Sequence, residues 1–384
     1  MAWVLPITRR DDRCMSTLTD TSSRRVAVPS WLRNPALGLF FLAPLVAEFF
    51  LGDFPLTMIF AIIPLALWYG GSAVLIREVV RRRGLCWPSI LLLGSAFAVV
   101  EEGLLTMSLF NPDYAGAHLL DKGYIPALGI GTTWTVYVLC LHVGWSIATP
   151  IALAEAAAGQ RGNIPWLGRR GLIVTGVCVV LGAVFTFATN YPQFGHFLAS
   201  PAQLLACFII AASCVVVALC RPVWISRGRT RRGSAPSLWW VFAVIFLCAG
   251  AFQLDSAIDT TWIADTTVVV AIVVALGSLG WWSRSDGWSQ RHVLAAASAM
   301  LLTYTWHAFF STGVVPSTPM VLLVSHIVYA VAAVAILLIC WRRVGRGAGQ
   351  DRVAVSSADS ARRSLAIRPG ASTATAPTTR SPSE

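Results

Sequence analysis

Residues 169–189 read RRGLIVTGVCVVLGAVFTFAT, two arginines followed by nineteen residues without a charge. Nineteen helical residues rise about 28 Å, close to the ~30 Å of a bilayer's hydrocarbon core. The run therefore reads as a membrane span, and the arginine pair at its head gives it a direction. Similar apolar segments lie on either side of it, at about 36–52, 56–76, 87–108, 133–157, 202–220, 237–254, 263–282, 292–311 and 318–341. The 384 residues are 56% hydrophobic and only 12% charged, about half the charge density of a soluble domain. That excludes a soluble enzyme and a disordered chain. The expected fold is all-α, a polytopic bundle of ten transmembrane spans.

The chain holds 28 arginines and a single lysine, Lys122. With the N-terminus placed in the cytoplasm and the spans alternating, one set of loops receives Arg81, Arg82, Arg83, Arg161, Arg169, Arg170, Arg221, Arg227, Arg229, Arg231, Arg232, Arg284 and Arg291. The N-terminal tail and the tail from Arg342 onward take most of the rest. All 28 fall on one side, while the other loops hold Lys122, Asp53, Asp113, Asp121, Asp255 and Asp259. Arginine bias of this kind sets orientation, so both termini are expected in the cytoplasm. It also accounts for the net charge of +11 without a nucleic-acid partner; the partner implied is the lipid bilayer. Residues 1–34 read as a basic tail, 35–343 as the bundle and 344–384 as a disordered basic tail. No apolar run with a small-residue cleavage site precedes the first span, so a removable signal peptide is not expected. The nine cysteines form no C-x-x-C and read as small buried hydrophobes, with no disulfide. Phosphate-binding glycine loops are absent too, and no cofactor is expected.

Function has to be sought in ionisable groups inside the spans, where each costs roughly 2.5–3.5 kcal/mol and persists because something needs it. The candidates are Glu48, Glu101, Glu102, His142, His307 and His326. At 1.5 Å per residue, Glu48, Glu101, His142, His307 and His326 stand about 18, 21, 17, 22 and 18 Å above the inner face. Five helices thus place them in one slab. Ser95, Glu102 and Thr106 share a helical stripe; Glu101 points about 100° away, on the side of Ser108. Thr135, His142, Ser146 and Thr149 make a polar stripe on the fourth span, and Pro150 is expected to kink that helix below the histidine. Glutamate beside histidine in a dry site can activate water, pass protons or bind a cation. Arg77 with Glu78, and Glu155, read as snorkelling residues and local pairs at the inner face. Asn111, Asp113, His118 and Asp121 make a loose metal-like set in the long loop after the third span, more plausibly solvated than metal-binding.

The EEGLLT of residues 101–106 and the VLCLH of residues 138–142 resemble two motifs of the CAAX-prenyl-protease and bacteriocin-processing family of intramembrane proteases, E-E-x-x-x-R and F-x-x-x-H. Thr106 stands for the arginine and Val138 for the phenylalanine, and the third motif, H-x-x-x-N/D, is not found. The resemblance implies water activation by Glu101, Glu102 and His142. Residues 35–160 also resemble an uncharacterised group of actinobacterial multi-span proteins, and 28 arginines against one lysine fit a high-GC bacterium. The expected location is a bacterial cytoplasmic membrane. Three readings stay open. One is an intramembrane hydrolase with Glu101 or Glu102 as base, His142 orienting water, and Glu48, Ser146, His307 and His326 in support. The second is a proton- or cation-coupled carrier, and the third a non-catalytic accessory protein.

Overall fold

The computed structural model describes residues 34–220, 231–254, 258 and 260–366. Ten apolar helices follow one another among these residues. They are α1 (Pro35–Phe49), α2 (Leu56–Arg82), α3 (Trp87–Leu105), α4 (Thr132–Arg161), α5 (Arg169–Gln193), α6 (Pro201–Leu219), α7 (Leu238–Gln253), α8 (Thr261–Trp282), α9 (Gln290–Phe310) and α10 (Pro319–Ala366). Eight are long and apolar enough to cross a membrane; α1 and α7 are shorter. Each coincides with an expected segment. The mismatches lie at the ends: α1 stops at Phe49 rather than 52, and α2 continues six residues past 76 to Arg82. The last helix runs on to Ala366, past 344, where a disordered tail was expected. The span supplies the nucleus from which that helix propagates. The arginines of 1–33 and 221–230, with most of the two tails, lie outside the described residues.

Two apolar cores share α1 and α4. One joins them to α7, α9 and α10 through Phe49, Phe50, Trp145, Leu301 and Tyr304. The other joins them to α2 and α3 through Leu39, Trp68, Phe97 and Ile147. The outer helices bury little. On α5 alone, Ile173, Val174, Val177, Val180, Leu181 and Val184 are exposed, a face that water would not tolerate and lipid would. Two small ladders close the loops: β1 (Tyr124–Ile125) with β2 (Ile130–Gly131), antiparallel, and β3 (Arg231–Ser234) with β4 (Ser285–Asp286), parallel.

The first four helices are irregular at one level. Each contains a π-helical turn: Leu45–Phe49 in α1, Ala66–Gly70 in α2, Glu101–Leu105 in α3 and His142–Ala148 in α4. In α1 and α3 the wide turn closes through Phe50 N–H to the Leu45 carbonyl and Thr106 N–H to the Glu101 carbonyl, each 2.9 Å. Proline adjoins three of the four turns, as Pro44, Pro64 and Pro150. Lacking an N–H, proline orphans the carbonyl four residues back: for Pro150 this is Ser146, inside the π turn, and for Pro44 and Pro64 it is Phe40 and Phe60, ahead of theirs. At Pro150 the helix runs on through the proline, and the irregularity falls upstream, at the histidine itself.

Pro44 has a second consequence. It frees the carbonyl of Phe40, and that carbonyl lies against Gly70 of α2. A Cβ built on Gly70 would stand 1.9 Å from the Phe40 oxygen. Only glycine permits the approach, and the approach sets α1 beside the residue next to Gly70, Tyr69.

Candidate functional site

The four π turns carry the polar side chains inward. Glu48 comes from α1, Tyr69 from α2, Glu101 and Glu102 from α3, and His142 and Ser146 from α4. A π turn adds a residue to the helical cycle, so it re-aims side chains that a regular helix would point elsewhere. It lets adjacent Glu101 and Glu102 both face His142. Nε2 of His142 lies 2.7 Å from Oε1 of Glu102, and Nδ1 lies 3.4 Å from Oε2 of Glu101. Nδ1 also lies 3.0 Å from the Ser146 hydroxyl. The network assigns the tautomer: Nε2–H donates to Glu102, and Nδ1 accepts from Ser146.

Glu102 is well supplied with donors. Its Oε2 accepts from Thr106 Oγ1 at 3.1 Å and from the Ser108 hydroxyl, which in turn accepts from Trp134 Nε1 at 3.1 Å. Glu101 differs: its Oε2 is buried without a hydrogen-bond partner. The Tyr69 hydroxyl is hydrogen-bonded to the carboxylates of Glu48 and Glu101. Phe97 and Tyr69 wall the imidazole, each ring 6.0 Å from it. Glu101, Glu102 and His142 are 3%, 6% and 4% exposed, so the site is enclosed. Over its loop side lies Tyr114, which donates to Asn190 Oδ1 at 2.9 Å. Burial pushes its phenol above the ordinary range, so it stays a neutral donor.

Other expectations change. Ser108 serves Glu102 rather than Glu101, because α3 ends at Leu105 and the chain reverses through Met107, whose φ is 55°. Ser95 bonds back to the Leu91 carbonyl and takes no part. His307 packs on Trp306, and His326 packs on Phe309 above Gly52. Neither hydrogen-bonds a glutamate among the described residues. Equal depth on α9 and α10 did not bring equal direction. Asn111 bonds the Phe194 carbonyl, and the loop set does not converge. Among the described residues, Glu101, Glu102 and His142 alone group as metal ligands. Tyr69 is the member that sequence reading missed. Its signal was the WYGG of 68–71, a tyrosine followed by glycines inside a span.

The snorkelling reading of Arg77 is overturned. Arg77 and Glu78 are fully buried at the opposite end of α2. Arg77 donates to Glu155 of α4 at 3.1 Å, to Glu78 at 2.6 Å and to the Gly162 carbonyl at 2.5 Å, with its guanidinium 3.4 Å from the centre of the Trp166 ring. Arg81 forms a two-pronged pair with Glu155 at 2.6 and 2.7 Å. The π turn of α2 swings the Arg77 face onto α4, where a fork-shaped cation finds its carboxylates inside the protein. This network locks α2 to α4 below the glutamate site.

The model of an uncharacterised membrane protein family matches residues 37–345. No curated protein and no solved structure matches the chain. The family match lends no support to the protease resemblance, which rested on Glu101, Glu102 and His142 alone.

Proposed function

This chain belongs to an uncharacterised membrane protein family, and on that footing we propose that it is a carrier that takes protons or cations at the Glu48–Glu101–Glu102–His142 site. One observation carries the reading. Four consecutive helices abandon regular geometry at the level where their ionisable or phenolic groups meet. Interrupted helices whose loosened backbone lines a buried polar centre are how membrane carriers build ion sites. The enclosure of the site agrees with a proton handed along hydrogen-bonded groups; a cation would enter only when the helices part. The finer topology belongs to the same proposal: ten crossings, both ends in the cytoplasm, in a bacterial inner membrane, as the arginine distribution requires.

The test is proton flux in proteoliposomes holding a pH-sensitive dye, driven by an imposed membrane potential. The wild type dissipates the potential through protons, and Glu101→Gln falls to the rate of protein-free vesicles. Equal flux in both removes the proposal. A hydrolytic reading is favoured by one feature, the Ser146–His142–Glu102 relay. It requires a helix movement that opens the relay to a substrate. Wild-type liposomes without flux, together with a peptidase activity lost in Glu101→Gln, would select it.

A further inference from the structure

Glu101 and His142 leave a gap with the dimensions of a metal ion. Zinc bonds of about 2.1 Å in a tetrahedron put neighbouring ligand atoms about 3.4 Å apart. Oε2 of Glu101 and Nδ1 of His142 are 3.4 Å apart. That is long for a charge-assisted hydrogen bond, and this oxygen has no hydrogen-bond partner. A buried carboxylate oxygen that accepts no hydrogen bond is costly, and a cation would satisfy it.

The other side of the imidazole is prepared for the same role. Histidines that bind metal donate their second ring N–H to a carboxylate, which fixes the tautomer and raises ligand basicity. Here Glu102 takes that position, 2.7 Å from Nε2, and is itself held by Thr106 and Ser108. Nδ1 then carries the free lone pair, which Ser146 engages at 3.0 Å; a cation between Nδ1 and Oε2 of Glu101 would displace that hydroxyl. One ligand atom from each of Glu101, Glu102 and His142 lies within 4.8 Å of the others.

We infer that the site takes a divalent transition-type cation of the zinc class as cargo, with Glu101 Oε2 and His142 Nδ1 as its first ligands and Glu102 as the carboxylate that orients the histidine. The inference rests on the carrier reading for its meaning and on geometry for its site. Imidazole with carboxylate selects this class over sodium, magnesium and calcium, which take all-oxygen shells. Structural zinc is closed by four protein ligands. A site with fewer suits an ion that must leave again.

The test uses the full chain without an affinity tag, in detergent micelles, titrated with Co²⁺ and then Zn²⁺. The visible Co²⁺ spectrum reports coordination. A single bound Co²⁺, displaced by Zn²⁺ and not by excess Mg²⁺, is expected. Binding is lost in Glu101→Gln, weakened about 10–100-fold in Glu102→Gln, and unchanged in His118→Gln, whose side chain is exposed in the loop. His142→Cys keeps a ligand in place and adds a thiolate–cobalt charge-transfer band, which keeps the test decisive should His142→Gln fail to fold. Absence of Co²⁺ and Zn²⁺ binding, binding indifferent to Glu101, or equal competition by Mg²⁺ would overturn the inference. Proton flux in a chain that binds no Zn²⁺ removes the cation and leaves the proton-carrier reading. Zn²⁺ bound at the site without flux of either ion removes the carrier reading instead.

Discussion

Gly70→Ala adds one methyl group at the crossing of α1 and α2. The new Cβ would stand 1.9 Å from the Phe40 oxygen, 2.7 Å from its carbonyl carbon and 2.9 Å from its Cα. Real Cβ contacts essentially never fall below 3.0 Å, so the helices must part by about 1.1 Å. The obstacle is backbone, and no rotamer change relieves it. Overpacking typically costs about 1–3 kcal/mol, and a backbone clash belongs at the upper end. Parting α1 from α2 also draws Glu48 away from Tyr69. We expect a loss of about 3 kcal/mol by reversible unfolding in mixed micelles, with loss of Co²⁺ binding. Gly176→Ala is the control. That glycine also lies in a helix, nothing stands within 4 Å of the added Cβ, and alanine favours helix by about 1 kcal/mol. A Gly70→Ala variant as stable as Gly176→Ala would mean that the two helices do not cross at Phe40, and the account of how Glu48 reaches the site would fall with it.

Glu155→Gln strips Arg77 and Arg81 of their shared carboxylate, leaving a buried guanidinium underpaired. We expect a loss of about 3–5 kcal/mol in the same unfolding assay, and a loss below 1 kcal/mol would show the network to be slack. Tyr69→Phe removes the hydroxyl bonded to Glu48 and Glu101 and should cost about 1–3 kcal/mol and slow proton flux; unaltered flux would place Tyr69 outside the pathway. Reporter fusions at Gly162 and Pro316 should read cytoplasmic and external respectively, and the reverse at either position breaks the ten-crossing topology.

The helices were legible in the sequence because apolar length and arginine placement are written residue by residue. Glu101, Glu102 and His142 were legible as well, since a carboxylate or imidazole inside a span is conspicuous. Direction was not. Helical periodicity assumes a regular ladder, and at each of the four site helices the ladder is broken. The extra residue per turn carries Glu101 to the histidine beside Glu102, and the helix end at Leu105 returns Ser108 to Glu102. Depth alone set His307 and His326 with the glutamates, yet α9 and α10 turn them toward Trp306 and Phe309. Arg77 misled for a related reason. A long cation near a span end ordinarily reaches outward, and only the placement of Glu155 on a different helix turns it inward. Prolines 44, 64 and 150 mark where regular periodicity stops being a guide.

Glu102 and His142 act as one buried unit, and a double-mutant cycle measures that directly. Stability is determined for the wild type, Glu102→Gln, His142→Gln and the pair. Groups 2.7 Å apart in an enclosed site should show a coupling of about 1–3 kcal/mol, with the double variant less damaged than the sum of the two singles. Additivity to within about 0.5 kcal/mol would mean that the carboxylate and the imidazole do not meet, and the centre proposed here would not exist.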